Sequence, residues 1–156
     1  MILHLLRHAK TEQFSKSGKD FDRHLMSKGI KQTIELELFF LNKQLDNVTI
    51  HVSSAKRTIQ TAQLVFPSEE FDCSKDLYLA GAEKLFQYVC ALKSTKNVFL
   101  IGHNDGLSEL ASYLSGENIH LRTAEYLAIE FSCKKSSEIS MHTGTIIETF
   151  RPQINS

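Results

Sequence analysis

Apolar residues gather in short runs at positions 2–6, 48–52, 98–101, 127–131 and 146–150, each of strand length. Between these runs the interval changes to three and four. Ile30, Ile34, Leu38, Leu41 and Leu45 recur that way, as do Ala55, Ile59 and Ala62. So do Ala82, Leu85, Phe86, Val89 and Leu92, and a shorter set of Leu107, Leu110, Ala111 and Leu114. One face of a helix repeats every 3.6 residues, so each set predicts a helix with those residues turned to the core. The adjacent Phe39 and Phe40 are read as core, with a dimer patch as the alternative. Strands alternating with helices predict an α/β fold: a three-layer α/β/α arrangement around a mostly parallel central sheet. The segment 127–150, broken by the polar stretch 133–138, has no helical spacing and predicts a hairpin that adds an antiparallel edge.

The chain has 156 residues and no internal repeat, low-complexity tract or Pro/Gly linker, which predicts a single domain spanning 1–156. Formal net charge is zero, so bulk attraction to nucleic acid or to a membrane is not indicated. The charge is uneven, however. Arg7, Lys10, Lys16, Lys19, Arg23, Lys28 and Lys31 face only Glu12, Asp20 and Asp22 in the first part of the chain. That excess is either a solvated face or a rim that attracts anions. Cys73, Cys90 and Cys133 are far apart and form no C-x-x-C pair, which argues against zinc or a redox couple and fits reduced thiols in the cytoplasm. Arg7 interrupts the first apolar run too early for a secretory leader, and no apolar stretch reaches the length of a membrane span.

Chemistry-bearing residues stand where the runs end. Arg7 and His8 leave the first predicted strand, Ser53 and Ser54 leave the second with Arg57 in the first turn of the next helix, and His103 and Asn104 leave the third. In open α/β sheets ligands bind at the carboxyl ends of the strands. Neighbouring parallel strands would bring Arg7, His8, Arg57 and His103 to one edge, where helix N-termini add N–H donors and partial positive charge. Two guanidinium forks suit phosphate oxygens. One histidine, kept neutral by positive neighbours, can attack phosphorus, and the second can be cationic and hold developing charge. Attack would give a covalent phosphohistidine that water then hydrolyses. This chemistry requires no metal or other cofactor, and the sequence offers no carboxylate cluster to bind a metal.

These segments resemble a known family. Leu5-Leu6-Arg7-His8-Ala9-Lys10-Thr11-Glu12 resembles the signature of the histidine phosphatase superfamily, which has the phosphoglycerate-mutase-like fold. Ala9 after the histidine is similar to the SixA-type phosphohistidine phosphatase branch. Three further stretches resemble that branch: Asp20-Phe21-Asp22-Arg23-His24-Leu25 followed by Lys28-Gly29, the segment from Ser53 through Arg57 to Ala62, and Gly102-His103-Asn104-Asp105-Gly106-Leu107-Ser108. The resemblance implies that His8 is the nucleophile, that Arg7, Arg57 and His103 complete the phosphate pocket, and that Arg23 lies near the phosphate. His24, Met26, Ser54 and Asp105 stand where the branch has proline, threonine, proline and proline. Asp105 is read as an outward-facing helix cap. A chain of this branch is expected to be bacterial.

A phosphate monoester releases an alkoxide and needs a general acid, whereas phosphohistidine releases an imidazole that can leave protonated. Related branches carry the acid in a longer insertion, and here the corresponding segment 67–96 is short. Glu83 is its best candidate, with helix-start stabilisation as the simpler reading, and Glu12 is a second candidate. The loops are short, and only residues 11–27 can fold over the pocket. An open site suits a phosphate carried on a protein. The leading expectation is therefore a metal-independent phosphatase acting on phosphohistidine in a protein partner. A small-molecule phosphomonoesterase of the same superfamily and a non-catalytic phosphate-binding module are the alternatives.

Overall fold

The computed structural model of the protein describes residues 1–154, so Asn155 and Ser156, the end of the expected domain 1–156, lie outside the described residues. The strands are β1 (Ile2–Arg7), β2 (Val48–Ser53), β3 (Asp72–Ser74), β4 (Asn97–Gly102), β5 (Tyr126–Glu130) and β6 (Thr145–Phe150). The helices are α1 (Ser27–Leu41), α2 (Lys56–Val65), α3 (Ala82–Ala91) and α4 (Gly106–Ser115). One sheet runs in the order β3-β2-β4-β1-β5-β6. Its β3, β2, β4 and β1 are parallel, and β5 and β6 follow as the antiparallel edge expected from the segment after residue 127.

Alternation along the central strands builds two cores. Leu3 and Leu5 of β1, with Val98 and Leu100 of β4, pack under Leu85, Val89, Leu107, Leu110, Ala111 and Leu114 of α3 and α4. Leu6, Phe99 and Ile101 face the other way, against Leu36, Phe40, Ala62 and Val65 of α1 and α2. The result is the three-layer α/β/α arrangement, and a strand buried on both faces reads as a continuous apolar run. Strand β3 escapes that signal because Asp72, Cys73 and Ser74 hold only an edge position beside β2.

Helix α1 corrects the periodicity reading. Ile30, Ile34, Leu38 and Leu41 are 44%, 53%, 56% and 72% exposed, and Leu45 lies beyond the helix end. The inner face is Gly29, Gln32, Thr33, Leu36 and Phe40. It has the same helical period, but its polar members mask it. Gln32 Oε1 accepts the Lys10 N–H at 2.9 Å, and Thr33 Oγ1 donates to the Ile30 carbonyl at 2.6 Å. Gly29 is required there because a Cβ would run into the Lys10 carbonyl. Phe40 is buried and Phe39 stacks on Phe150 with centroids 4.2 Å apart, so that pair does belong to the core.

Sheet register sets the address of the site. Arg7 pairs with Gly102 and Val52 pairs with Ile101, so β1, β2 and β4 end at one level. Gly106 brings a further segment to that edge. The first turn of α4 lies so close to the Ala80 carbonyl that a Cβ would collide with it. Tyr78 thereby comes edge-on to His103, with ring centroids 5.5 Å apart.

Candidate active site

His8 follows the last residue of β1 and is buried. Its Nδ1 lies 2.8 Å from the Ala9 carbonyl oxygen. A carbonyl can only accept, so the ring proton sits on Nδ1 and Nε2 keeps its lone pair. The backbone is fixed as well: His8 N–H donates to Gly102 O at 3.1 Å, and Ala9 N–H to Thr61 Oγ1 of α2 at 3.1 Å. Burial first, then His103, Arg57 and Arg7, lower the His8 pKa to about 3, against the raising effect of the Ala9 bond. Its imidazole is neutral at pH 7.

The His103 ring lies 5.5 Å from that of His8, tilted by 57°. Its Nε2 is 2.7 Å from Ser53 Oγ, at the end of β2. Its Nδ1 is buried without a partner among the described residues. Burial, Arg57, Arg7 and Arg23 lower its pKa to about 3 against the pull of Asp20. The sequence reading made this the cationic histidine. In the protein alone it is neutral, because the ring is buried and the guanidinium groups of Arg57 and Arg7 already supply positive charge.

Arg7 Nη1 donates to the Leu121 carbonyl at 3.0 Å, and Asn104 Nδ2 donates to the same oxygen at 3.0 Å. Arg57 is 2% exposed. Its Nη1 donates to Asp20 O at 2.8 Å and its Nη2 to Asp20 Oδ2 at 3.0 Å. Arg7 Nε and Arg57 Nε, like His103 Nδ1, are buried without partners among the described residues. Arg23 joins the group through Asp20: its Nε donates to Asp20 Oδ1 at 3.0 Å, and its Nη1 donates to Thr11 Oγ1 at 2.9 Å.

Asp20, Tyr78 and Ser53 were assigned no role from the sequence. Tyr78 donates its hydroxyl to Asp20 Oδ2 at 2.6 Å, and its ring lies 5.9 Å from the Arg57 guanidinium carbon. Hydrogen bonds to Tyr78 and Arg57, with the charges of Arg57 and Arg23, lower the Asp20 pKa to about 2 although desolvation opposes them. The candidate acids stand apart from this network. Glu83 is exposed in the first turn of α3, where its carboxylate accepts from Gln87 at 3.5 Å. Glu12 is exposed, and only its backbone carbonyl reaches Arg23, at 3.0 Å. Asp105, read as a cap, sits at the N-cap of α4 but makes no side-chain cap bond; its backbone carbonyl accepts the Glu109 N–H at 3.0 Å. Asn104 instead uses its side-chain oxygen to accept from Ser108 Oγ at 2.6 Å.

The arrangement offers a neutral ring nitrogen, a second imidazole beside it and two guanidinium groups, each with a buried Nε–H that has no partner among the described residues. Such a set can hold a tetrahedral dianion against a nucleophile.

The model of the family described as "Histidine phosphatase superfamily (branch 1)" matches residues 3–79. No curated protein matches the chain. Among solved structures, SixA from Nakamurella multipartitia superposes with a TM-score of 0.84 at 18% identity, covering 97% of this chain and 96% of that one. The protein histidine phosphatase SixA complexed with tungstate gives 0.81 at 17% identity, covering 97% of each. SixA from Agrobacterium tumefaciens gives 0.79 at 21% identity, covering 97% and 98%. The family match covers β1 from Leu3, His8 just past its end and the helix start that carries Arg57, and the shared fold continues through His103 to the last strand. Residues 3–79 thus match the histidine phosphatase superfamily, and the chain shares the fold of the SixA structures.

Proposed function

We propose that the protein is a phosphatase that forms a covalent phosphohistidine at His8, needs no metal ion, and removes phosphate from phosphohistidine on a protein in the cytoplasm. The observation that carries this reading is the bond from His8 Nδ1 to the Ala9 carbonyl, which leaves the Nε2 lone pair free in a pocket where Arg7 Nε–H, Arg57 Nε–H and His103 Nδ1 have no partner among the described residues. Nε2 attacks phosphorus in line as the bond to the substrate's leaving nitrogen breaks. The substrate imidazole, already protonated at its other ring nitrogen, departs neutral, and water then cleaves the new N–P bond, returning neutral His8 and releasing phosphate with the water's proton. Arg7, Arg57 and His103 hold the equatorial oxygens, and Arg23 lies at the rim.

The leaving group points to the substrate class. Asp20 is the carboxylate bonded into the site, and at a pKa of about 2 it is ionised and has no proton to give to an alkoxide. Glu83 is exposed and bonded to its own helix. An imidazole leaves protonated and does not need that acid. The tungstate complex of a SixA of like fold is that of a tetrahedral oxyanion, the shape the pocket donors suit.

The test is turnover of a phosphohistidine protein and of p-nitrophenyl phosphate, both with EDTA, by wild type and His8→Ala. Rapid loss of phosphohistidine by wild type alone, with slow ester hydrolysis and an acid-labile phosphoenzyme, is expected. Turnover by His8→Ala would remove the nucleophile assignment. Rapid ester hydrolysis by wild type would make the protein a small-molecule phosphomonoesterase.

A further inference from the structure

Asp20 gathers more of the site's donors than any role in the chemistry above requires. Its Oδ2 accepts from Arg57 Nη2 at 3.0 Å and from the Tyr78 hydroxyl at 2.6 Å. Its Oδ1 accepts from Arg23 Nε at 3.0 Å, with Arg23 Nη2 also at 3.0 Å. Its backbone carbonyl accepts from Arg57 Nη1 at 2.8 Å. One residue of the loop between β1 and α1 thus holds both terminal nitrogens of a guanidinium that is 2% exposed.

Two roles fit an anion on a phosphate-binding arginine. It either occupies the ligand's place or holds the arginine from the other side. A competing carboxylate would consume the donors the ligand needs. Here Arg57 Nε stays buried and without a partner among the described residues while Asp20 is in place, as do Arg7 Nε and His103 Nδ1. A guanidinium is a rigid planar fork, so pinning Nη1 and Nη2 also fixes the direction of the Nε–H bond. Arg23 is secured in the same way, by Asp20, by Thr11 Oγ1 at 2.9 Å and by the Glu12 carbonyl at 3.0 Å. Tyr78 completes the arrangement. Its hydroxyl orients the carboxylate, while its ring lies against His103 and under Arg57.

We propose, resting on the reading of this pocket as a phosphoryl site, that Asp20 is a positioning residue: with Tyr78 it orients Arg57 so that its free Nε–H meets a phosphoryl oxygen. Asp20 touches no reacting atom. Its effect passes through the planar fork of Arg57.

The test is a double-mutant cycle of Asp20→Asn and Arg57→Lys, read by calorimetric titration of inorganic phosphate and by turnover of the phosphohistidine protein. In the native background Asp20→Asn should weaken phosphate binding and lower kcat by roughly ten- to a hundredfold, the size of a misplaced pocket group. In the Arg57→Lys background it should change either by less than about twofold, since an ammonium has no fork to orient. Tyr78→Phe, which removes only the phenol donor, should show the same coupling at smaller amplitude. It carries the test if Asp20→Asn does not fold. Equal losses in both backgrounds would reduce Asp20 to a general structural role and overturn the proposal. Tighter phosphate binding by Asp20→Asn would make it a competing anion and overturn the proposal as well. Wild type that binds phosphate but turns over nothing would sink the phosphatase reading while the binding cycle still decides the role of Asp20. Wild type that binds no phosphate would overturn both.

Discussion

A carbonyl oxygen has no proton to offer, and from that the state of the His8 ring follows: Nδ1 donates to Ala9 at 2.8 Å and Nε2 is free. His103 differs in that its Nδ1 has no partner among the described residues, so its charge depends on what binds. Burial and the nearby arginines hold its pKa at about 3, and a bound dianion would offset them and raise it. Binding of a tetrahedral dianion should therefore take up protons. Sulfate, which carries no titrating proton between pH 5 and 8, isolates this effect. Calorimetry at pH 6 in buffers of different ionisation enthalpy should show net uptake, and affinity should fall as pH rises to 8. Absence of uptake, or equal uptake by His103→Gln, would remove the assignment. Arg7, His8, Arg57 and His103 were legible in the sequence because each stands at or just past the end of an apolar run, and strand ends share an edge. Asp20 and Tyr78 were not. Nothing in the spacing of positions 20, 57 and 78 announces a contact that only the folded loop makes.

Helix α4 and helix α1 carry equally regular apolar spacing, yet only α4 buries the residues that define it. Leu107, Leu110, Ala111 and Leu114 are fully buried, whereas Ile30, Ile34, Leu38 and Leu41 are exposed. The difference lies in what each helix meets. Helix α4 packs on the apolar faces of α3 and the sheet. Helix α1 also anchors the loop after β1, and for this it turns Gln32 and Gly29 inward to the Lys10 backbone. Polar residues with a backbone partner count as core there, and periodicity of apolar residues alone cannot reveal them. Stability should follow burial. Leu36→Ala, at a position with no exposed surface, should cost roughly 2–5 kcal/mol, and Leu38→Ala no more than about 0.5 kcal/mol, by urea unfolding. Similar losses for the two would contradict the assignment of the α1 faces. Strand β3 shows the opposite limit: a short edge strand of polar residues has no pattern to read, and it forms because β2 offers an open edge.

Four histidines are buried in this small molecule, and their positions tie the site to the stability of the sheet. His4 on β1 bonds to the Tyr126 hydroxyl at 2.7 Å and stacks on Phe99, and burial, with Lys43, lowers its pKa to about 4. His51 on β2 bonds to the Tyr88 hydroxyl at 3.0 Å, and burial lowers its pKa as well. His8 and His103 lie at about 3. An unfolded chain binds protons at these rings near pH 6.5, so below that pH it binds more protons than the folded one. Stability must then rise with pH across this window and be lost as pH falls from about 6.5 toward 3. Asp20 adds a later loss. Its folded pKa of about 2 lies below the unfolded value, so its contribution disappears only as pH falls through that lower range, and solvent screens it at 44% side-chain exposure. The first acid loss therefore belongs to the histidines. Urea midpoints at pH 7, 5.5 and 4.5 should fall steadily, and His4→Phe should reduce the slope whatever it does to the level at pH 7. A flat profile to pH 4.5 would mean that the buried rings protonate without cost. The same burial that leaves His8 neutral makes acid the weak side of the fold, because β1 carries His4 in the core and His8 just past its end.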